Sequence, residues 1–378
     1  MKEKNFFGLI FFLCVFVFVV HVFWVGSAIW GDGQYYYAYA RSLVIDKDIC
    51  LENEFNYYNL PIWRTTKGLV ANKFPIGSAL FWSPLIFLYY FLFKGNGYSL
   101  NYQLLVGFIN ILAGTVGLWF IFETNYKFFK KKMALWSILL VFLSTNLFFY
   151  LAVDPINSHP PTFLISSLLI YFLTKIKKNT AGKIYFLFGL LVGILALIRT
   201  QELIYGLVIS LWILFNYNFK SLFFFITGLL FGFMPQLIVN FLFFGTLRSP
   251  YFLFGERFYW LKPKIISALI SPNNGLFYSS PILIFSVLGW LISLKKNWLS
   301  KFSFLLFLAE LYLVSCWSSG WAGVAFGGRM FISLMPIFAF GLGQILVFLK
   351  DKRYNLNLLF IFLIALNFYS MIKFLLNQ

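Results

Sequence analysis

The chain reads as an all-α polytopic membrane protein, and three observations lead there. Of its 378 residues, 61% are hydrophobic and 11% are charged, and the mean hydropathy of +0.83 lies far from that of a water-soluble domain. The apolar residues gather in runs close to the ~20 residues that a helix needs to cross a bilayer. The basic residues collect in short loops between those runs, so the net charge of +18 reports topology rather than nucleic-acid contact.

Spanning stretches follow one another near 7 to 29, 102 to 122, 134 to 152, 162 to 174, 184 to 198, 203 to 215, 221 to 244, 277 to 294, 302 to 317, 330 to 349 and 356 to 375, eleven in all. The first suits a spanning helix better than a cleaved signal. The stretch from 76 to 93 is apolar enough to cross as well, and the positive-inside rule decides against it. If it stays on one side, the loops holding Lys2 and Lys4, Lys127 to Lys132, Lys175 to Lys183, Lys220, Lys295 to Lys301 and Lys350 to Arg353 all face the cytoplasm. It therefore reads as a re-entrant or interface-lying helix broken by Pro84. The stretches 184 to 198 and 203 to 215 meet at Arg199, and merging them into one helix would reverse everything after them.

On this topology Asp32, Asp46, Asp48, Glu52, Glu54, Asp154, Glu202 and Glu256 lie on or near the outer face, away from the lysines. The chemistry is expected there, in outer loops at about 30 to 101 and 245 to 276. With no internal repeat, low-complexity linker or separable soluble domain, residues 1 to 378 read as a single membrane domain. The Phe- and Lys-rich composition suits a multi-pass protein of a bacterial cytoplasmic membrane. Three dispersed cysteines, Cys14, Cys50 and Cys316, support neither a disulfide framework nor a zinc pattern. His21 and His159 are the sole histidines and no HExxH is present, which argues against zinc hydrolysis.

The sharpest motif is Gly31-Asp32-Gly33-Gln34, followed by Tyr35, Tyr36, Tyr37, Ala38, Tyr39, Ala40 and Arg41. Tyr35, Tyr36, Tyr39, Ala40, Leu43 and Val44 recur at helical spacing and predict a helix lying in the membrane interface. Asp32 reads either as the N-cap of that helix or as a site carboxylate. Asp154, in Val153-Asp154-Pro155, reads either as a turn residue or as a second site carboxylate. His159 either orients a hydroxyl or satisfies the start of the next helix.

Cations on the outer face are few: Lys73 in Asn72-Lys73-Phe74-Pro75, Arg199 in Ile198-Arg199-Thr200-Gln201-Glu202, and Arg329 after Gly327-Gly328. Each abuts an apolar segment, where a charge costs about 2.5–3.5 kcal/mol at bilayer depth and needs snorkelling or an anionic partner. Arg199 can pair with Glu202 at i,i+3. Arg329 has no partner nearby in sequence, and the glycines before it let a phosphate approach the backbone. An anionic lipid head group is the natural ligand.

These residues resemble the multi-spanning GT-C glycosyltransferases that use polyprenyl-phosphate sugars, including protein O-mannosyltransferase-like and aminoarabinose-transferase-like enzymes. The resemblance rests on Asp32 with its Tyr-rich run, Lys73 with Pro75, and Asp154. It continues through Ser271-Pro272 to Gly275-Leu276, Ser280-Pro281, and the segment from Trp317 to Trp321 leading to Gly327-Gly328-Arg329. Family members often carry Lys-Pro-Pro where this chain has Lys73-Phe74-Pro75, and Asp-Glu where it has Asp32-Gly33.

The resemblance implies a GT-C-like bundle and a transferase working from a lipid-phosphate-linked sugar in the outer leaflet. It implies catalytic roles for Asp32 and Asp154, with Asp32 as the base that takes a proton from an acceptor hydroxyl. Lys73, Arg199 and Arg329 would neutralise the donor phosphate, and Tyr36, Arg41 and His159 would complete substrate binding. Tyr36, Trp63 and Trp321 either stack on sugar faces or pack at the membrane interface. The expected outcome is inversion by single displacement, with no metal and no cofactor, and a glycan, lipid or protein acceptor. Two other classes stay open: a flippase for lipid-linked sugars, which usually shows related halves or paired broken helices, and a polysaccharide polymerase or ligase, which leans on a large late outer loop.

Overall fold

The structure is a computed structural model that describes residues 3–176, 181–318 and 325–377. Lys2, Lys177, Lys178 and Trp321 lie outside the described residues. Helix α1 (Glu3–Val25) leads to α2 (Asp32–Arg41), which runs on into a π-turn (Ser42–Asp46), then α3 (Glu52–Tyr57) and α4 (Gly77–Phe93). Next come α5 (Leu100–Tyr126), α6 (Lys131–Leu143), α7 (Leu147–Ala152), α8 (His159–Leu173) and α9 (Gly182–Ile198). A 3-10 turn (Thr200–Glu202) precedes α10 (Leu203–Asn216) and α11 (Phe219–Phe244). The short α12 (Pro250–Leu253), α13 (Ile265–Ile270) and α14 (Leu276–Ser279) are followed by α15 (Ile282–Ser293) and α16 (Trp298–Cys316). A second 3-10 turn (Arg329–Leu334) opens α17 (Met335–Asp351), and α18 (Asn357–Leu376) closes the chain.

Among the described residues, six helical segments are long and apolar enough to cross a membrane: Lys4–Val25, Leu100–Tyr126, Phe219–Phe244, Trp298–Cys316, Arg329–Asp351 and Asn357–Leu376. Five shorter apolar helices accompany them. The stretch from 134 to 152, expected as one helix, is two, interrupted at Ser144, Thr145 and Asn146. Two carbonyls of the interruption find side-chain donors within the fold. The Thr145 hydroxyl donates to the Val141 carbonyl (2.6 Å), and Asn367 of α18 donates to the carbonyls of Leu143 (2.9 Å) and Thr145 (3.0 Å).

The expected break at Pro84 does not occur, because α4 runs through it. Proline removes one i to i−4 bond there, and neighbouring contacts hold the helix: Ser83 donates to the Ala79 carbonyl (2.7 Å), and buried Trp82 donates its indole N–H to Asn110 of α5 (2.9 Å). At Arg199 the chain is extended (φ −143°, ψ 110°), so α9 and α10 are separate helices, and they pack on each other.

The tightest helix pair is α9 with α11. Gly189 and Gly193 of α9 face Gly228 and Gly232 of α11 so closely that a Cβ on Gly189 would land on the Phe225 carbonyl oxygen, and one on Gly228 on that of Phe186. Two small-xxx-small motifs thus let the backbones meet, which is how helices associate where lipid supplies no hydrophobic drive. This contact anchors the helix whose end presents Arg199.

Arg41 locks the first outer loop. Its Nη1 lies 2.5 Å from both Asp46 Oδ2 and Glu54 Oε1, its Nε donates to the Asn96 carbonyl (2.7 Å), and its guanidinium sits 3.9 Å over the Tyr98 ring. Tyr98 in turn stacks on Tyr57. The Arg41 guanidinium is buried and these contacts serve the loop. Burial pushes the Glu54 carboxyl up to about 7 against the pull of Arg41.

Two consequences can be measured. Gly193→Leu should lower the thermal midpoint by several degrees, since overpacking costs about 1–3 kcal/mol, whereas Gly8→Ala, with open space around it, should not. Arg41→Met should destabilise by about 3–5 kcal/mol by leaving Glu54 buried and unpaired. Because the folded-state value of Glu54 is raised from 4.5 to about 7, its contribution is full below the former and fades as pH rises through the latter. Thermal melts of Arg41→Met should accordingly show a larger deficit at pH 8 than at pH 6.

Candidate active site

A cavity of about 560 Å³ lies between the start of α2, the turn joining α9 to α10, the loop after α11 and the 3-10 turn at Arg329. Its lining includes the polar Asp32, Lys73, His159, Arg199, Gln201, Glu256 and Arg329. Apolar side chains join them: Leu203, Ile204 and Leu207 of α10, Leu313 of α16, and Phe252, Phe258 and Trp260. The structure thus brings together Asp32, Tyr36, Lys73, His159, Arg199 and Arg329, which the sequence scatters over 298 positions. Arg41 is not in the lining, and Trp63 is a 65% exposed surface residue apart from it.

Asp32 is the first residue of α2, and the glycines around it have distinct tasks. Gly31 adopts φ 55°, ψ −131°, which a side chain resists. At Gly33 a Cβ would strike the Ile156 carbonyl, so α2 can press against the loop after α7. The N-cap position is held by Gly31, not Asp32, and Asp32 Oδ2 lies 2.7 Å from Arg329 Nη1. This contact supplies the partner that Arg329 lacks locally. Both side chains remain partly exposed, 34% and 26%, so the pair is open to exchange with a ligand.

Asp154 sits beside this pair in the loop after α7. That loop is built by Asn157, whose side-chain amide donates to the Asp154 carbonyl and whose Oδ1 accepts from the His159 N–H (2.7 Å), and by Asn110, which donates to the Pro155 carbonyl (2.7 Å). Asp154 Oδ1 is buried without a hydrogen-bond partner. Burial, and then the like charge of Asp32, pushes the Asp154 carboxyl up to about 8. Its surroundings thus favour the protonated form. Burial and the same aspartate push the Tyr36 phenol up to about 12.

Arg199 reaches the cavity from its extended turn. Its Nη1 lies 2.6 Å from His159 Nδ1. A guanidinium can only donate, so Nδ1 bears the lone pair and the ring proton is assigned to Nε2. Arg199 also donates to Gln201 Oε1 (3.1 Å) and lies 3.9 Å from Glu202, the i,i+3 partner foreseen from the sequence. Gln201 donates to Glu310 Oε1 (2.8 Å) and to the Met330 carbonyl (2.9 Å). Glu310 escaped the sequence reading. Its signal was a carboxylate within the apolar run 302 to 317.

Lys73 Nζ is 3.6 Å from Glu256 Oε1, and Glu256 also accepts from the Trp317 indole N–H. The loop before α4 and the loop after α11 therefore meet at the cavity, and Glu256, expected from the sequence only as an outer-face acid, lines it. Tyr36 packs edge-on against Phe74 with centroids 5.1 Å apart. Among the described residues no three His, Cys, Asp or Glu side chains converge.

No family model matches the chain, and no curated protein matches it in sequence. In fold it is similar to the crystal structure of ArnT from Cupriavidus metallidurans bound to undecaprenyl phosphate, with a TM-score of 0.54 at 15% identity over 91% of this chain. The chain spans 60% of the length of that structure. The likeness supports the GT-C-like fold that the sequence motifs imply.

Proposed function

We propose that the chain is an inverting glycosyltransferase that moves a sugar from a polyprenyl-phosphate donor to an acceptor outside the cytoplasm. The observation that carries this reading is the Asp32–Arg329 pair, placed in one cavity with Lys73 and Arg199 and next to an apolar wall on α10 and α16. The fold it shares with a structure that holds undecaprenyl phosphate agrees with it. In this reading the chain is one membrane domain with eleven spans in a bacterial cytoplasmic membrane, and the cavity opens to the outer face.

The polyprenyl chain lies along Leu203, Ile204, Leu207 and Leu313, and its phosphate enters the cluster of cations. Arg329 exchanges its contact with Asp32 for the phosphate, aided by Lys73 and Arg199, and frees the Asp32 carboxylate to face the acceptor. The acceptor oxygen then bonds to the anomeric carbon from the face opposite the phosphate, and its proton passes to Asp32. The bond from the anomeric carbon to the phosphate oxygen breaks with its electron pair on that oxygen, so polyprenyl phosphate leaves without a general acid. Asp154 works as a protonated donor that positions Asp32 or the acceptor, not as a second base. Arg199 holds the His159 ring so that its Nε2–H is available to a substrate oxygen. Tyr36 offers its ring to the sugar.

Release of free polyprenyl phosphate from a panel of donors, followed by mass spectrometry in proteoliposomes with an envelope extract, tests this reading. Asp32→Asn should reduce release by about 10²–10⁴-fold, while Asp154→Asn should retain most activity at pH 7. Because the Asp154 carboxyl lies at about 8, release by the unaltered chain should fall as pH rises through that value, and Asp154→Asn should flatten the fall. A fully active Asp32→Asn would refute the base assignment; movement of intact lipid between leaflets without release would point to a flippase. For topology, Lys131→Cys in a Cys50→Ser background should resist an impermeant thiol reagent added outside, and labelling there would mean that 76 to 93 crosses.

A further inference from the structure

Residues 247 to 270 follow α11 and are too broken to cross a membrane, since α12 and α13 have four and six residues. Yet this stretch exposes large apolar side chains: Leu247 at 61%, Leu261 at 96%, Ile266 at 73% and Ile270 at 58%. Exposed apolar groups on a spanning helix face lipid, but on a loop bathed in water they would form an uncovered patch that soluble surfaces avoid.

The exposure is built in. Tyr259 to Lys262 form a turn closed by the Lys262 N–H on the Tyr259 carbonyl (2.9 Å), with Leu261 near its apex. The Tyr259 N–H donates to the Cys316 carbonyl (2.7 Å), the Lys264 N–H to that of Ser315 (2.9 Å), and the Tyr312 hydroxyl to that of Trp260 (2.6 Å). The turn is thereby tied to the last turn of α16, where an apolar helix gives way to the outer loops, and Leu261 is held outward.

The charges around it select the partner. Arg248, Arg257, Lys262 and Lys264 are all exposed, whereas the stretch's acid, Glu256, is turned to Lys73 and Trp317. Tyr259 and Trp260, both 51% exposed, are of the kind that settles at head-group depth. Apolar side chains interleaved with cations and flanked by interfacial aromatics suit an anionic lipid surface.

We propose that the second outer loop is a membrane anchor whose Leu261 and Ile266 enter the leaflet on the cavity's side, with Lys262 and Lys264 at its anionic head groups. Phe258 and Trp260 line the cavity, so the anchor holds the cavity mouth at head-group depth, and an amphiphilic substrate enters sideways without leaving the leaflet. The inference concerns where the loop sits and does not require sugar transfer.

Depth-dependent quenching tests it. Leu261→Cys and, separately, Ile266→Cys in the Cys50→Ser chain are labelled with an environment-sensitive fluorophore and reconstituted in vesicles containing phosphatidylglycerol. Thr66→Cys, exposed in the first outer loop, serves as the reference. Labels at 261 and 266 should be quenched at least threefold more by spin-labelled lipid than the label at 66, and at least threefold less by aqueous iodide. Quenching by iodide equal to that at 66, with none from lipid, would overturn the anchor and mark the patch as a docking face for a protein. Since neither readout needs turnover, its failure is distinct from failure of the transferase reading.

Discussion

A charge placed at membrane depth has little water to solvate it, and finding a partner for each such charge is the constraint on which this structure turns. Asp32 meets Arg329, Lys73 meets Glu256, Arg199 meets Glu202 and His159, and Arg41 meets Asp46 and Glu54. These pairings differ in kind. Arg41 is enclosed, with its Nε and Nη1 engaged and a ring under its guanidinium, so it fixes the loop. Arg329 and Lys73 are partly open and pair with one carboxylate each. Lining the cavity separates Lys73, Arg199 and Arg329 from Arg41, which does not reach it.

The cavity depends on how closely the backbones around it approach. Gly33 lets the start of α2 sit against the loop that carries Asp154, which places two aspartates in one electrostatic environment. The glycine-to-glycine contact of α9 with α11 fixes the end of α9 and so the reach of Arg199. Environment then sets the two aspartates apart. Asp32 has an arginine for company, whereas Asp154 has an unpartnered oxygen and burial that favours its neutral form.

The apolar wall and the second outer loop extend the same logic to the lipid. α10 and α16 give the cavity an apolar side, and the loop after α11 carries its aromatics from the cavity lining to the exposed turn at Leu261.

Much of this was legible in the residues. Hydropathy marked the apolar helices, because the run length that a bilayer demands is a local property. Asp32, Tyr36, Lys73, His159, Arg199 and Arg329 were legible because polar residues abutting apolar runs stand out against a 61% hydrophobic background. The contacts of Arg41 were not legible, because its partners, Asp46, Glu54 and Asn96, lie five, thirteen and fifty-five positions away, and no spacing rule links them. Pro84 signals a break in sequence, yet the contacts of Ser83 and Trp82 carry α4 through it. The split at 144 to 146 was hidden because the donor that satisfies its carbonyls is on α18. By itself, then, the sequence determined the membrane class, the helices and which residue types were worth suspecting, all matters of local composition. Which carboxylate met which cation, and which aspartate was buried, was decided only by the tertiary structure, since pairing and burial depend on groups as many as 297 positions apart.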